Sequence, residues 1–280
     1  MTITAIVQAV EEYAPRALQE SWDNTGWQIS PQAVTSGQCS GVMLCLDVTP
    51  AVVAEARALG CNLIISHHPL LFRGPRTIDG STPGQRALVD AIRAGIAVYS
   101  SHTALDSAPG GVSHHLGTLL GLTDMRPLSP SHSDPSAGLG VIGTLPGPGI
   151  TLPALIDLVK KVYRQPALRV TPGPAGTTIP TDDQEPATAD TPLIRTVALC
   201  SGSGGEFIPD TIRAGADAYI TSDVRYHDFL DYGRDIVIVD TGHFESEICT
   251  KSIFSRIISQ KFPNFAVHMA SCEHPPVQYV

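Results

Sequence analysis

A shortage of basic residues, of paired cysteines and of long apolar runs narrows what this chain can be. Of its 280 residues, 18 are Lys or Arg against 27 Asp or Glu, a formal net charge of −9. Such an acidic surface disfavours nonspecific binding to nucleic acid or to anionic membranes, both of which require basic patches. The six cysteines, Cys39, Cys45, Cys61, Cys200, Cys249 and Cys272, form no CxxC pair and lie mostly among apolar neighbours. That is the pattern of reduced, buried thiols in a cytoplasmic protein. No apolar run approaches the ~18 residues of a membrane span. The opening Met1-Thr2-Ile3-Thr4-Ala5 has neither the basic segment nor the apolar core of a signal peptide. With 42% hydrophobic and 16% charged residues the composition is globular. The length allows two modest domains or one large α/β domain.

Short apolar runs alternate with amphipathic stretches. Strands are expected at 41–47, 63–66, 96–100, 139–144, 196–200, 218–221, 236–240 and 266–270. Helices are expected at 3–20, from Pro50 through Leu59, and at 85–94, 111–122, 152–163, 207–214 and 246–261. Trp22-Asp23-Asn24-Thr25-Gly26-Trp27 reads as a turn. This alternation predicts βαβ units and mainly parallel sheets covered on both faces. Residues 127–138, rich in Ser, Pro, Asp and Gly, read as a boundary loop, and 171–192, rich in Pro and Thr, as an irregular segment. The expected division is 1–126 plus 245–280 for a first α/β domain and 127–244 for a second.

In open parallel sheets ligands bind beyond the carboxyl ends of the strands, and three strand ends carry ligand-type residues. The first is Ser66-His67-His68-Pro69. Neighbouring side chains on an extended backbone point to opposite sides. The pair can therefore hand one nitrogen to each of two metal ions, or one to a metal and one to a substrate. The second is Ser101-His102-Thr103-Ala104-Leu105-Asp106. The third is Gly242-His243-Phe244-Glu245-Ser246-Glu247, where a helix beginning near His243 puts His243 and Glu247 at i and i+4 on one face. Glu245 points elsewhere at that spacing.

Taken singly, each residue has a structural explanation: Asp106 as a turn residue, His243 as an ordinary histidine at a helix start. Taken together, His67, His68, Asp106, His243 and Glu247, with His102 close by, supply enough imidazole and carboxylate for two metals if one carboxylate bridges. Two ions ~3.5–4 Å apart with a bridging hydroxide form a recurring hydrolytic centre. A second pair, His114-His115, lies inside a helical pattern and reads as surface or packing histidines. Asp223 and His227 stand at i and i+4 after a strand. They read either as groups that orient metal ligands or move protons, or as a helix cap. Ser201-Gly202-Ser203-Gly204-Gly205 is a weak phosphate-binding candidate and not a P-loop, because no Lys-Ser/Thr follows.

Several motifs in order closely resemble the family of GTP cyclohydrolase 1 type 2 homologues, the NIF-three-like proteins, over nearly the whole chain. They are Trp22-Asp23-Asn24-Thr25-Gly26, Ser66-His67-His68-Pro69, Ser101-His102-Thr103-Ala104-Leu105-Asp106 and Gly110-Gly111-Val112. Gly202-Ser203-Gly204-Gly205, Thr221-Ser222-Asp223-Val224-Arg225-Tyr226-His227 and Gly242-His243-Phe244-Glu245-Ser246-Glu247 follow. Where many relatives have Gly before the acidic residue, this chain has Ser222. The resemblance implies two α/β domains as three-layer α/β/α sandwiches, a dinuclear metal centre at the domain interface and a ring-shaped homohexamer. It implies His67, His68, Asp106, His243 and Glu247 as metal ligands, Glu247 bridging. Mixed imidazole and carboxylate ligands suit two divalent ions among Zn, Mn, Fe, Co or Ni.

The function expected on this basis is hydrolysis, a metal-bound hydroxide attacking a nucleotide-type or other phosphate-bearing small molecule. His102 or His227 would move protons near neutral pH, with Asp223 nearby. The alternatives are a metal-binding regulatory or scaffold ring protein and a metal-dependent phosphoesterase.

Overall fold

Apolar runs of four residues, Val42–Cys45, Leu63–Ser66, Ala97–Ser100 and Val237–Asp240, are buried from end to end and become strands of two separate sheets. The computed structural model describes residues 1–131, 134–174, 177 and 192–279. The chain divides into two compact units: Met1–Ala108 with Ile248–Pro275, and Pro109–Glu247 with Pro276–Val280.

The first unit runs α1 (Ile3–Tyr13), β1 (Gly26–Ile29), α2 (Gln32–Thr35), β2 (Val42–Cys45), α3 (Pro50–Ala58), β3 (Leu63–Ser66), α4 (Pro83–Arg93), β4 (Ala97–Ser100) and α5 (Thr103–Ser107). The returning segment adds α11 (Thr250–Lys261) and β11 (Val267–Met269). Its sheet has the order β1-β4-β3-β2-β11, parallel throughout except for β1, which pairs antiparallel with β4. Alternate strand residues serve opposite faces. Met43, Cys45, Ile64 and Val98 pack with Val52, Val53 and Ala56 of α3 and Ala87, Leu88 and Ala91 of α4. The other parity, Val42, Leu44, Leu63, Ile65, Ala97 and Tyr99, is fully buried too, on the side where α1 packs on α11 and α11 on β2. Both faces are covered, which is why these strands read as unbroken apolar runs. Thr49 and Thr82 each cap a helix whose first turn holds a proline.

Two local expectations change here. The helix expected over 3–20 ends at Tyr13, because a residue preceding Pro15 is pushed out of the helical region; a single 3-10 turn, Arg16–Leu18, follows. The turn expected at 22–27 ends earlier, since Gly26 and Trp27 open β1, with Trp27 edge-on to Tyr99 at 5.4 Å.

The C-terminal stretch of this unit is tied down by carboxylates. Glu55 accepts hydrogen bonds from the Ser271 amide (3.0 Å), the Ser271 hydroxyl (2.7 Å) and the Cys272 amide (3.2 Å). Burial alone would raise the Glu55 carboxyl, but these bonds outweigh it and hold its pKa at about 2. A carboxyl lowered in the folded state adds stability above its unfolded pKa of 4.5 and loses it as the pH falls toward about 2. Glu55→Gln is therefore expected to flatten the acid limb of stability in that window. Superimposable acid-unfolding profiles for the two proteins would mean that these bonds contribute nothing to stability.

The second unit contains α6 (Val112–Leu119), β5 (Thr123–Pro130), β6 (Gly138–Thr144), α7 (Leu152–Tyr163), β7 (Arg169–Val170) and β8 (Thr196–Ser203). After them come α8 (Ile208–Arg213), β9 (Ala218–Ser222), α9 (Tyr226–Tyr232), β10 (Val237–Asp240) and α10 (His243–Glu247). The sheet order is β5-β6-β8-β9-β10-β7. Only β8, β9 and β10 run parallel; β5, β6 and β7 are antiparallel to their neighbours. This sheet is therefore mixed rather than mainly parallel. The boundary loop expected over 127–138 is shorter: Pro127–Pro130 belong to β5 and Gly138 opens β6, residues 131 and 134–137 lie outside strands, and 132–133 lie outside the described residues. Pro127 pairs with Val141 and Pro130 with Gly138, and β5 tolerates these prolines because it is an edge strand. The first unit ends at Ala108, ahead of the expected 126/127 division, because α6 packs on β6 and β8 of the second sheet.

In the segment expected to be irregular, 171–192, Thr171 donates its amide to the Ile238 carbonyl (3.0 Å) and Gly173 to that of Gly233 (3.1 Å). Residues 175–176 and 178–191 of that segment lie outside the described residues. The long helix expected over 246–261 is broken after Glu247. The Ser246 hydroxyl donates back to the His243 carbonyl (2.8 Å), a bond that competes with the helical ladder. Among the described residues no helix is long and apolar enough to cross a membrane.

Candidate metal centre

Beyond the ends of β3 and β4 the first unit gathers three imidazoles. β3 stops at Ser66, so His67 and His68 follow a bend rather than an extended strand. Their rings do not diverge as expected from strand alternation: the centroids are 5.1 Å apart and the planes tilt by 42°. His102, just past β4, lies 5.2 Å from His67 and 5.4 Å from His68, ring to ring. One ring nitrogen from each of the three lies within 4.8 Å of the others. Asp106, on α5, brings a carboxylate oxygen to 3.7 Å from His67 Nε2.

The backbone of this cluster is anchored by the sheet. The His67 and His68 amides donate to the carbonyls of Cys45 (3.2 Å) and Leu46 (3.0 Å). The hydroxyls of Ser66 (2.9 Å) and Ser100 (3.2 Å) both donate to the His68 carbonyl.

Each imidazole has its Nδ1 engaged. His67 Nδ1 is 3.1 Å from the Ser101 carbonyl, His68 Nδ1 is 2.9 Å from the Asp47 carboxylate and His102 Nδ1 is 2.8 Å from that of Asp23. These partners only accept, so Nδ1 carries the proton, and Nε2 is the nitrogen that faces the cluster in each ring. Metal-ligating histidines characteristically have this backing. Asp23 is the most elaborately held of the partners. Burial would raise its pKa, but hydrogen bonds from His102, Thr103 and Thr25 outweigh it and hold the carboxyl well below the usual range.

In the second unit, α10 starts beyond β10. The i, i+4 spacing places His243 Nε2 2.9 Å from the buried Glu247 carboxylate. His243 Nδ1 lies 2.7 Å from Asp223. Burial disfavours charge on His243, but bonds to Asp223 and Glu247 prevail and lift its pKa to about 10. A cation taking Nε2 displaces that proton. Asp223 is itself lowered, first by its bond to His243. Its φ of 55° is left-handed, a conformation Asp tolerates better than most residues.

The glycine segment serves this pair. Gly202, at φ 63°, ends β8 beneath Glu247; a Cβ there would stand 2.1 Å from Glu247 Oε1 and 3.6 Å from His243 Cε1. Its amide donates to Ser246 Oγ (2.9 Å), so it is already committed within the unit rather than offered to a phosphate. Ser222 Oγ lies 2.9 Å from the Gly242 carbonyl and 3.1 Å from Ser246 Oγ, joining the end of β9 to the start of α10.

The structure thus brings together His67, His68, His102 and Asp106 in one unit, and Asp223, His243 and Glu247 in the other. His227 lies on the exposed start of α9 with its ring edge-on to Tyr226 at 5.3 Å. The helix begins only at Tyr226, so the i, i+4 relation to Asp223 is not a shared helical face. Glu245 sits beside Gly242 and Tyr279. His114 is exposed and His115 half-buried on α6. Sequence reasoning missed the roles of Asp23 and Asp47. Asp23 was legible only as part of a turn motif and Asp47 only as a residue near a helix start, where Thr49 is the cap.

A profile of the family described as Duf34/NIF3 (NGG1p interacting factor 3) matches residues 1–276. The chain is 34% identical over 248 residues to a Clostridium perfringens protein named GTP cyclohydrolase 1 type 2 homolog, covering 88% of this chain and 87% of that one. A Lactococcus lactis protein of the same name is 32% identical over 268 residues, 95% of this chain and 93% of that one. The fold matches the crystal structure of a Bacillus cereus protein related to NIF3, with a TM-score of 0.83 at 22% identity, covering 99% of this chain and 98% of that one. With its ligand-bearing strand ends and its full-length match, the chain belongs to the Duf34/NIF3 family.

Proposed function

We propose that this chain is a metal-dependent hydrolase in which His67, His68, Asp106, His243 and Glu247 would hold the two divalent cations that the family resemblance implies. The observation that carries this reading is the Nδ1 backing of every imidazole concerned, by Ser101, Asp47 or Asp223. The donor set fits such ions: imidazole and carboxylate in one place suit Zn, Mn, Fe, Co or Ni. Gly202 keeps clear the space that Glu247 occupies. Paired cations lower the pKa of water and offset negative charge developing on a phosphoryl or purine-like centre.

The chain's own groups do the rest. Asp47 and Asp223 keep His68 and His243 in the tautomer that presents Nε2. Asp23 does the same for His102, which takes or gives a proton beside the reacting atoms. His227 is the weaker candidate for that task, being directed at Tyr226. The substrate class in this reading is a nucleotide or another phosphate-bearing small molecule. The cytoplasmic setting is supported by six cysteines that form no CxxC pair, four of them buried. The homohexameric ring is supported by the family resemblance alone.

Metal analysis of protein purified without added metal tests the site. His68→Ala combined with Glu247→Ala is expected to lose most of the metal that the wild type retains, and equal content in the two would refute the assignment. A panel of GTP, dinucleotides and simple phosphate esters, run with and without chelator, tests the activity. Absence of chelator-sensitive turnover would leave a metal-binding regulatory protein in its place.

A further inference from the structure

His102 has a second set of neighbours that the proposed chemistry does not use. The rings of Trp22 and Phe72 lie 6.0 and 6.1 Å from its ring, both edge-on, and 6.0 Å from each other. Both are large, apolar and open to solvent, Trp22 by 56% and Phe72 by 44%. Exposed aromatic surface is costly to leave in water unless something covers it. Both are also held in place. Trp22 precedes Asp23, which bonds His102, Thr103 and Thr25. Phe72 follows Leu71, whose amide donates to Gln28 Oε1 (3.0 Å) and whose carbonyl accepts from Asn24 Nδ2 (2.8 Å). These bonds join the loop carrying Phe72 to the turn carrying Trp22, so the two rings form one wall.

The loop then runs Phe72-Arg73-Gly74-Pro75-Arg76, wholly exposed. Two arginines thus follow the aromatic residue within four positions, in a chain whose net charge is −9. Arg73 also lines a cleft of ≈ 240 Å³ with Thr82 and Gln85. A planar ring binds well on aromatic faces whatever its hydrogen-bonding edge, and a guanidinium is suited to a phosphate.

We propose that Trp22 and Phe72 are the ring-binding wall of a substrate subsite beside His102, selecting planar heteroaromatic phosphates such as nucleotides, with Arg73 and Arg76 receiving the phosphate. This rests on the reading of the histidine cluster as the reaction centre. A ring stacked on the wall presents its edge to His102, the group assigned to proton transfer. Sugar phosphates without a base have nothing to place there.

The test uses the full-length protein with GMP, guanosine and ribose 5-phosphate as probes. In a Trp27→Phe background, which keeps a ring against Tyr99, Trp22 is the only tryptophan and its fluorescence reports the wall. GMP is expected to quench it and ribose 5-phosphate to leave it unchanged. By calorimetry, Phe72→Ala and Trp22→Ala should each weaken GMP binding about tenfold or more, with Trp22→Phe recovering most of the loss. Arg73→Ala should bring GMP affinity down toward that of guanosine. Equal binding of GMP and ribose 5-phosphate, or unchanged GMP affinity in both alanine variants, overturns the proposal. Metal content is measured on the same samples. Loss of ring selectivity with metal retained removes the subsite alone; absence of metal with ring selectivity intact removes the reading of the centre alone.

Discussion

Gly202→Ala is expected to destabilise the protein by about 2–5 kcal/mol and to lower any metal retention at the candidate centre. The backbone at Gly202 is left-handed, φ 63°, which costs a residue bearing a Cβ about 1–2 kcal/mol. The new methyl also has no room. Its position lies 2.1 Å from Glu247 Oε1 and 3.1 Å from Glu247 Cδ. Overpacking of a buried group adds about 1–3 kcal/mol. A shift of the Glu247 carboxylate away from the new methyl disturbs the imidazole and carboxylate that α10 brings to 2.9 Å. Gly215→Ala is the matching control. Its φ is 75°, but nothing lies within 4 Å of the added carbon, so it carries the backbone cost without the collision. The difference between the two variants in denaturant unfolding isolates the steric part. A Gly202→Ala protein as stable as Gly215→Ala, with metal content unchanged, would show that Glu247 does not press against residue 202.

The second large effect lies at the buried pair Lys251 and Glu273. Glu273 Oε1 accepts from the amides of Leu46 (2.9 Å) and Asp47 (3.0 Å), while Oε2 lies 3.0 Å from Lys251 Nζ. Lys251 also donates to the Ala270 carbonyl (2.9 Å). The side chains are only 12% and 5% exposed. Glu273→Ala leaves an ammonium nearly dry and two amides without their acceptor, a loss of about 3–5 kcal/mol when one partner of a buried pair is removed.

Combining Glu273→Gln with Lys251→Met is expected to be less harmful than Glu273→Ala alone, because the glutamine oxygen still receives the amides and no charge is stranded. The consequence reaches the candidate metal centre. Asp47, whose amide Glu273 holds, positions His68 through a 2.9 Å bond, so Glu273→Ala should also lower metal retention. Urea unfolding and metal analysis read the two effects. Wild-type stability in Glu273→Ala would mean that Lys251 and the two amides find water or another acceptor once the carboxylate is gone.

Much of the architecture is legible because burial on both sheet faces leaves an unmistakable mark. The expected strands at 63–66 and 139–144 match β3 and β6 almost residue for residue, since Leu63-Ile64-Ile65 and Val141-Ile142 sit in apolar runs too short for a helix. What hides is structure whose cause is distant or local in an unusual way. β5 runs through Pro127 and Pro130, residues that signal a loop unless one knows the strand is at an edge. The break after Glu247 arises from a serine bonding backwards, which no periodicity reveals.

At the candidate site, the His243–Glu247 pairing follows from helical spacing, a local rule. Asp23 and His102 meet across 79 residues and Asp47 and His68 across 21, so no spacing rule links them. The role of Gly202 is steric, and a sequence shows a glycine without showing what presses against it.

The carboxylates behind the imidazoles bear on how relatives of this chain are compared. Asp23, Asp47 and Asp223 all lie in connecting segments, outside the strands and helices that define the fold. A residue there can drift in evolution without disturbing the core. A chain that kept His68 and His243 but replaced Asp47 and Asp223 would still score as a complete ligand set and would fold normally. Its rings, free to rotate and to exchange tautomers, would hold metal poorly. A relative that no longer held metal would then be told apart at these three connecting positions, its histidines remaining in place.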